Sequence, residues 1–306
     1  MACGFFPIDE AGRAPVTTID LSEYDVPGRG RGLADVFRWR YLLRLLVRKG
    51  TATRYRNSVL GWTWSYVKPG IQFLMYFLVV GFIFDGNRGI TNFPIYLFAG
   101  LVAVNFFNEA FGNATTAIVD NRALVKKIYL PRELFPISAI IVAFIHFLPQ
   151  LAILLVVSLI YGWLPTFAGL GAMLLGMVLI AALALGLGLF FAGINVRYRD
   201  AQNFVEIIRM VSTWASPVLY AWTLVEEKAT GWILHLYMSN PVTIAVELFH
   251  WTFWEPTVPT NADEQPHGFP EHFLVYLGIA VALCAVILVI GQLTFRRFER
   301  TFAQDL

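Results

Sequence analysis

The sequence predicts an all-α membrane protein with six transmembrane helices, an N-terminal amphipathic helix at the membrane surface, and re-entrant outer helices between spans five and six. Hydrophobic residues make up 57% of the 306 residues and charged residues only 14%. That is far more apolar material than the core of a soluble protein needs. The natural solvent of most of this chain is therefore lipid.

Basic residues are segregated along the chain, and this segregation predicts the topology. When the apolar stretches are taken as spans, every Lys and Arg except Arg88 and Lys228 falls on the same side of the membrane. The side richer in Lys and Arg is cytoplasmic in membrane proteins. We therefore expect a multi-pass protein of the bacterial inner (plasma) membrane with both termini in the cytoplasm.

The six predicted spans, taken with their flanking residues, approach the roughly 20 residues that a helix needs to cross a bilayer. They are residues 69–84, 93–111, 134–164, 167–194, 210–224 and 273–295. The third is expected to kink at Pro149, which lacks an amide hydrogen. The fourth is rich in glycine, which predicts close packing inside the bundle. Together they form a transmembrane domain at 69–295.

The longest connection, at 225–271, is predicted to lie outside. It contains too many large apolar side chains for a solvated loop. We expect short helices there that dip back into the membrane surface, which is tolerable where protein buries their ends.

The two ends of the chain are predicted to differ from the spans. Residues 1–33 show no basic stretch followed by an apolar one, so no cleavable signal peptide is expected, and they are predicted to form a mobile cytoplasmic tail. Residues 34–68 form an interfacial segment whose helix has an uncharged arc opposite a basic one, as in helices that lie along a membrane surface. A generic anchor fits that pattern equally well. Residues 296–306 are predicted to be a cytoplasmic tail.

Several kinds of chemistry are not indicated. Cys3 and Cys284 lie in a tail and a span, so neither a disulfide framework nor a cysteine metal site is expected. The histidines lack the tight spacing of a metal site, so no metal is assigned. Nucleic acid is not expected as a partner. A nucleotide-binding P-loop is absent, since Lys49, Gly50 and Thr51 stand in the wrong order. The chain is therefore expected not to be an enzyme.

Two strings on the basic side carry a resemblance to a known family. Residues 54–69 read RYRNSVLGWTWSYVKP, and residues 121–136 read NRALVKKIYLPRELFP. Both resemble cytoplasmic segments of ABC-2 type polysaccharide-export permeases, and the resemblance extends over residues 34–303. Galactan exporters of mycobacterial-type cell walls are the most similar, followed by O-antigen and teichoic-acid exporters.

The resemblance implies partners that this chain does not contain. A separate ABC ATPase subunit, in two copies, would bind ATP and Mg, while this chain itself holds no cofactor. A second copy of the chain would complete a homodimer, because six helices alone give too little wall for a glycan channel. The second string would be the element that couples the two subunits. Its candidate residues are Asn121, Lys126, Lys127, Tyr129, Arg132 and Glu133. In the alternative interpretation its basic residues only set topology.

Two further sets of residues are candidates for substrate contact. Arginine binds phosphate bidentately, so arginines of the interfacial segment are candidates for a lipid diphosphate. These are Arg40, Arg44, Arg48, Arg54 and Arg56, with the last two favoured. Aromatic rings stack on sugars without fixing their hydroxyl groups, and an acidic group within a span needs protein or water beside it. The channel-lining candidates are Tyr76, Phe77, Phe106, Phe107, Glu109, Trp214 and Tyr220. Lipid-facing packing is the alternative for any single ring, and an ion pair with an arginine is the alternative for Glu109.

The predicted function is export of a polyprenyl-diphosphate-linked polysaccharide, with galactan favoured over O-antigen or teichoic acid. An ABC-2 exporter of a drug or a small lipid is the nearest alternative. An intramembrane glycosyltransferase is less favoured, because no clustered carboxylates occur near a membrane face. A secondary transporter would show inverted repeats and broken helices, and neither is evident.

Overall fold

The computed structural model describes residues 35–54, 58–83, 90–127, 130–229, 231–259, 268–299 and 301–302. All regular structure in these ranges is helical, as predicted. The α-helices are α1 Asp35–Arg38, α2 Arg40–Arg54, α3 Trp64–Tyr76, α4 Phe93–Asp120, α5 Arg122–Lys127, α6 Leu134–Ile160, α7 Phe167–Arg197, α8 Ala201–Trp214, α9 Trp222–Lys228, α10 Trp232–Met238, α11 Pro241–Phe253 and α12 Phe273–Glu299.

Five helical segments in these ranges are long and apolar enough to cross a membrane. Four of them are α4, α6, α7 and α12. The remaining one, Gly61–Ile83, starts with a 3-10 turn, continues as α3 and ends in the π-helix Phe77–Ile83. Five of the predicted spans are therefore confirmed as long helices.

The prediction that residues 210–224 form one continuous span is wrong. The chain is helical to the end of α8, non-helical through 215–221, and helical again in α9. Pro217 lies in the break, where its ring and its missing amide hydrogen oppose a continuous helix. The hydroxyl of Tyr96 on α4 shares its single proton between the carbonyls of Pro217 and Tyr220, both at 2.9 Å. These bonds satisfy carbonyls that the broken helix leaves open.

Contacts between helices fix their relative directions. The amide of Asn195 on α7 donates to the carbonyl of Thr115 on α4 at 3.3 Å. Near the last turns of α12, the amide of Gln292 donates to the carboxylate of Glu133, just after α5, at 3.1 Å. The C-terminal ends of α4, α7 and α12 therefore share one face of the bundle. That face carries the basic residues Lys126, Lys127, Arg197, Arg296 and Arg297.

Helix α8 and the break after it run along α4 in the opposite direction. Arg209 lies against Gly112, since a β-carbon built on that glycine falls 3.0 Å from an arginine nitrogen. Tyr220, beyond the break, is bonded to Tyr96. These two contacts are separated by 16 residues of α4, which corresponds to roughly 24 Å of helix. Residues 201–221, which we call the α8 segment, therefore lie along most of the length of α4.

Helix α11, within the predicted outer loop, is buried among the long helices. Its ring at Phe249 lies 6.3 Å from that of Phe147 on α6. The hydroxyl of Thr252 donates to the carbonyl of Gly169 at the start of α7, at 3.0 Å. The described part of 225–271 thus contains the short helices α10 and α11, and α11 is part of the core.

The segment predicted to be interfacial is helical as α2, preceded by the short α1. Its apolar residues Leu42, Leu43, Leu46 and Val47 are half-buried, while Arg44, Arg48 and Lys49 are exposed. Gly50 on the same helix lies against Val142 of α6, since a β-carbon there would be 3.0 Å from a methyl carbon. The apolar arc of α2 therefore lies on the side that faces the bundle.

Glycines on α7 allow two helices to approach closely, as their spacing predicted. A β-carbon on Gly186 would lie 2.8 Å from the backbone nitrogen of Leu288 on α12. A β-carbon on Gly188 would lie 2.5 Å from that of Ala114 on α4. Real carbon atoms do not approach so closely, so neither position has room for a side chain.

Replacing Gly186 with alanine is expected to destabilise the protein by about 1–3 kcal/mol, since the new methyl group would push α12 away from α7. The measurement is thermal unfolding of the purified protein in detergent. Gly171→Ala is the matched control, because Gly171 is also on α7 and has nothing within 4 Å of a built β-carbon. Equal melting temperatures for the two variants would contradict the proposed close contact.

Candidate functional site

Polar side chains surround a cavity of about 710 Å³ in the described residues. Its walls are α3, α4, α6 and α8, with Arg54 of α2 at its edge. The long helices bring their few polar residues together here, because a polar group facing lipid would be costly. The polar side chains include Lys68, Gln72, Asn105, Asn108, Glu109, Gln150, Glu206 and Arg209.

An ion pair joins two residues that the sequence assigned to different sites. Arg54 donates from its guanidinium to the carboxylate of Glu109. Their side chains are 32% and 19% exposed, respectively. An ion pair with an arginine was the alternative predicted for Glu109, and it is observed. The pair lowers the cost of burying the carboxylate. Both residues line the cavity, so the pair also bears on whatever binds there.

Arg209 adds a cation that the sequence analysis did not single out. Its guanidinium lies over Gly112 of α4, where a β-carbon would be 3.0 Å from an arginine nitrogen. Lys68 and Glu206 line the same cavity. The sequence signal was weak, because Arg209 lies in a polar stretch before the fifth predicted span and was counted only for topology.

His146 on α6 ties that helix to the segment that starts the first span. Its Nδ1 accepts a hydrogen bond from the indole of Trp62 at 3.0 Å and lies 3.1 Å from the hydroxyl of Ser65. An accepting Nδ1 requires the neutral tautomer with its proton on Nε2. The contact is structural, which is the role favoured by the sequence over metal or proton chemistry.

A second cavity of about 430 Å³ lies between α2, α4 and α6. It shares Arg54, Asn113 and Thr116 with the first cavity. Lys49 of α2 donates to the side-chain oxygen of Asn121 at 2.8 Å. Asn121, a predicted coupling residue, is therefore bonded to α2.

The predicted coupling residues divide into exposed and engaged groups. Lys126 and Lys127 at the end of α5 are exposed. Arg132 donates to the carbonyl of Glu299 and lies over the ring of Phe302, 5.5 Å from its centre. Both contacts hold the α5–α6 connection against the end of α12. Tyr129 lies outside the described residues.

Glu133, which was predicted to be a coupling residue, is buried. Its side chain is only 2% exposed and accepts a hydrogen bond from Gln292. A carboxylate enclosed in this way is not on the surface that a partner subunit would meet. Its position supports a role in joining α6 to α12.

The predicted diphosphate residues on α2 are also split. Arg40, Arg44 and Arg48 are exposed, and only Arg54 reaches the cavity. Arg56, which was favoured equally with Arg54, lies outside the described residues.

Two of the predicted channel-lining aromatics do not line an open passage in this subunit. Phe106 and Phe107 are 3% and 0% exposed, with Phe106 packed 4.9 Å from Phe147 and Phe107 5.6 Å from Phe111, measured between ring centres. The cavity takes the other face of α4. Because side chains three or four residues apart share a helix face, Asn105, Asn108 and Glu109 point to the cavity while these rings point to the core.

The other aromatic candidates lie nearer the surface of the subunit. Tyr76 and Phe77 are half-buried, and Phe77 stacks 5.9 Å from Phe73. Trp214 is 57% exposed, and its carbonyl accepts a hydrogen bond from the hydroxyl of Tyr220 at 2.7 Å. These four remain predictions.

The family profile described as ABC-2 type transporter matches residues 41–254. The chain is 31% identical over 279 residues to the O-antigen export system permease protein RfbA of Myxococcus xanthus, covering 90% of this chain and 99% of that protein.

Two other relatives cover most of the chain at lower identity. An O-antigen export system permease protein RfbA of Klebsiella pneumoniae is 24% identical over 268 residues, which is 87% of this chain and 95% of that protein. The capsule polysaccharide export inner-membrane protein CtrC of Neisseria meningitidis is 23% identical over 249 residues, which is 79% of this chain and 89% of that protein. With a family profile that covers well over half of its residues and a relative aligned along nearly its whole length, this multi-pass membrane protein belongs to the ABC-2 type transporter family.

Proposed function

We propose that this chain is the permease subunit of an ATP-driven exporter that moves a polyprenyl-diphosphate-linked polysaccharide from the cytoplasm across the bacterial inner membrane. The observation that carries the proposal is the alignment with an O-antigen export permease over 99% of that protein's length. The polar cavity beside Arg54 supports it, since a charged and hydroxylated cargo needs polar walls inside a bundle of apolar helices.

The cargo is a polysaccharide of the O-antigen or capsule kind, to which the relatives' names refer. Galactan stays our first choice within that class, and teichoic acid is a further candidate. An exporter of a drug or small lipid is the alternative. An apolar drug would not match the many amide and charged side chains of the cavity.

The chain crosses the membrane six times in this proposal. Helices α7 and α12 run in the same direction, so the chain must cross the membrane once more between them. With only the five long helices as crossings, the two ends of the chain would lie on opposite sides. The α8 segment supplies the sixth crossing, supported by its contacts along roughly 24 Å of α4. Both termini are then cytoplasmic, the basic face is the inner one, and α9 to α11 form the re-entrant outer structure.

Energy for transport comes from two copies of a separate ATPase subunit beneath a homodimer of this chain. The sequence contains no P-loop of its own. Lys126 and Lys127 present an exposed basic surface on α5, which suits a partner with an acidic groove. Asn121, just before α5, is bonded to Lys49 of α2. A displacement of α5 by the ATPase would therefore also move α2.

Arg54 is proposed to bind the diphosphate of the lipid carrier. Its place at the end of α2 and at the edge of both cavities supports this role, since guanidinium pairs bidentately with phosphate. The carboxylate of Glu109 would pair with the guanidinium of Arg54 until a substrate phosphate displaces the carboxylate.

The sixth crossing can be tested by cysteine labelling. In a background in which Cys3 and Cys284 are replaced with alanine, Glu227→Cys is expected to react with an impermeant maleimide in intact spheroplasts. Asn203→Cys and Arg297→Cys are expected to react only after permeabilisation. All three positions are exposed in the subunit. Reaction of Asn203→Cys and Glu227→Cys from the same side would refute a crossing between them.

Replacing Lys126 and Lys127 together with alanine is expected to weaken the complex with the ATPase about tenfold, because two exposed ionic contacts contribute roughly 1–2 kcal/mol together. Co-purification and substrate-stimulated ATP hydrolysis measure this. The paired control replaces Arg197 and Arg199, which are also exposed on the basic face. Equal loss in both double variants would show a general charge effect without a specific contact.

The role of Arg54 can be separated from its pairing with Glu109. We expect Arg54→Gln to raise the concentration of lipid-linked glycan needed for half-maximal ATPase stimulation about 10- to 100-fold, since a charged hydrogen bond contributes about 1.5–3 kcal/mol. The double variant Arg54→Gln with Glu109→Gln is expected to remain impaired. If the double variant regains normal stimulation, Arg54 serves only to neutralise Glu109. Arg197→Gln is the control for loss of a basic residue.

A further inference from the structure

The 710 Å³ cavity offers hydrogen-bonding groups that its own walls do not use. Among the residues that the structure describes, Oδ1 of Asn108, Oε1 of Gln150 and Nε of Arg209 are buried and have no hydrogen-bond partner in the protein. All three side chains line this cavity. Buried polar atoms without partners are rare, so three around one space indicate that the space is built for a polar ligand.

The orientation of the two amides is set by their nitrogen atoms. The hydroxyl of Thr213 donates to the carbonyl of Arg209 at 3.1 Å, so its oxygen accepts from Nδ2 of Asn108, also at 3.1 Å. Nδ2 of Asn108 is thereby occupied. Nε2 of Gln150 lies 3.5 Å from the carbonyl of His146, one turn earlier on α6. Both amide oxygens are therefore left for the ligand.

An amide oxygen only accepts hydrogen bonds. A free phosphate at neutral pH is mainly an acceptor, so it does not match Asn108 and Gln150. Hydroxyl groups donate, and a sugar presents several of them on one small ring. The acceptor pair therefore selects a hydroxylated ligand, which displaces water from these oxygens.

The same cavity also carries an excess of cations. Arg54, Lys68 and Arg209 face two carboxylates, Glu109 and Glu206, and Arg54 is paired with Glu109. Arg209 still has an unused nitrogen. One ligand that meets both sets of groups is a sugar carrying a phosphate. The volume of about 710 Å³ lies within the usual 300–1,000 Å³ of a small-molecule site, which suits a short headgroup and not a polymer.

We propose that this cavity within a single subunit binds the sugar attached directly to the lipid diphosphate, with Asn108 and Gln150 accepting hydrogen bonds from its hydroxyl groups and Arg209 binding its phosphate. The proposal rests on the proposed function, because it takes a lipid-linked glycan as the cargo. It adds a recognition site for the first sugar, separate from the passage through which the polymer moves.

Binding of short-chain probes to the purified permease–ATPase complex in detergent tests the site. The probes are citronellyl diphosphate, the same compound carrying one galactose, and the same compound carrying one N-acetylglucosamine. We expect at least one sugar-bearing probe to bind about tenfold more tightly than the sugar-free one. Asn108→Leu and Gln150→Leu are expected to reduce this preference severalfold and leave binding of citronellyl diphosphate unchanged. Arg209→Gln is expected to weaken the binding of all three probes.

Two further variants keep the test specific. Asn203→Leu makes the same change on an exposed residue of α8 outside the cavity and is expected to keep the full preference for sugar. Asn108→Asp keeps an acceptor but loses the donor to Thr213, so it is expected to keep the ratio between probes. Loss of the ratio in Asn108→Asp would assign Asn108 a packing role through Thr213 and overturn its assignment as a sugar acceptor.

Equal affinity of the wild-type complex for all three probes would overturn the sugar site. If ATP hydrolysis by that complex still responds to lipid-linked polysaccharide, the proposed function survives without this site. If neither the probes nor the polysaccharide binds or stimulates, the proposed function fails as well.

Discussion

Glu109 places a carboxylate on the most enclosed long helix of the subunit, and much of the architecture around it follows from that burial. The most apolar stretch of α4 is 72% buried, so a charge on it is tolerated only with a partner and a polar surrounding. Arg54 is the partner, and Asn105 and Asn108 supply the surrounding on the same face. The cavity exists because α4, α3, α6 and α8 turn their polar residues toward this one carboxylate.

The same pairing fixes helix α2 to the bundle. Helix α2 is bound to α4 by Arg54 near the cavity and by Lys49 at Asn121, just before α5. Gly50, between these residues, packs on α6. A helix held at two points along α4 transmits displacement between them. In the proposed exporter, the element that would meet the ATPase and the residue that would meet the diphosphate are thus joined by one short rigid helix.

The sequence predicted those features that depend on a single stretch of chain. Helix length, apolar content and glycine spacing are local properties, so five long helices and the close contacts of α7 follow from them. Pro217 was also visible, but the polar and aromatic residues around it were interpreted as one short span. The break depends on Tyr96 of α4, whose hydroxyl satisfies carbonyls in it and which no local pattern connects to Pro217.

Pairings between distant residues could not be derived in this way. Arg54 and Glu109 are 55 residues apart, and Glu133 and Gln292 are 159 apart. Nothing in either local pattern identifies the partner, so Glu133 was predicted to be a coupling residue. Phe106 and Phe107 failed for a related reason. Composition shows that a span contains aromatic rings, but only the neighbouring helices decide which face of α4 is open.

The position of α3 relates the cavity to the membrane. Only 6% of the most apolar stretch of Gly61–Ile83 is buried. Lys68 and Gln72 turn inward to the cavity, while Ile71, Leu74 and Met75 are exposed on the outer side. The helix is therefore a single wall between a polar space and an apolar surface, and its end is a π-helix, which is a form often found at functional sites. A lipid-linked glycan has the same division, with an apolar tail and a polar headgroup. In the proposed function the tail stays in lipid beside α3 while the headgroup lies in the cavity, so α3 separates the two parts of the cargo.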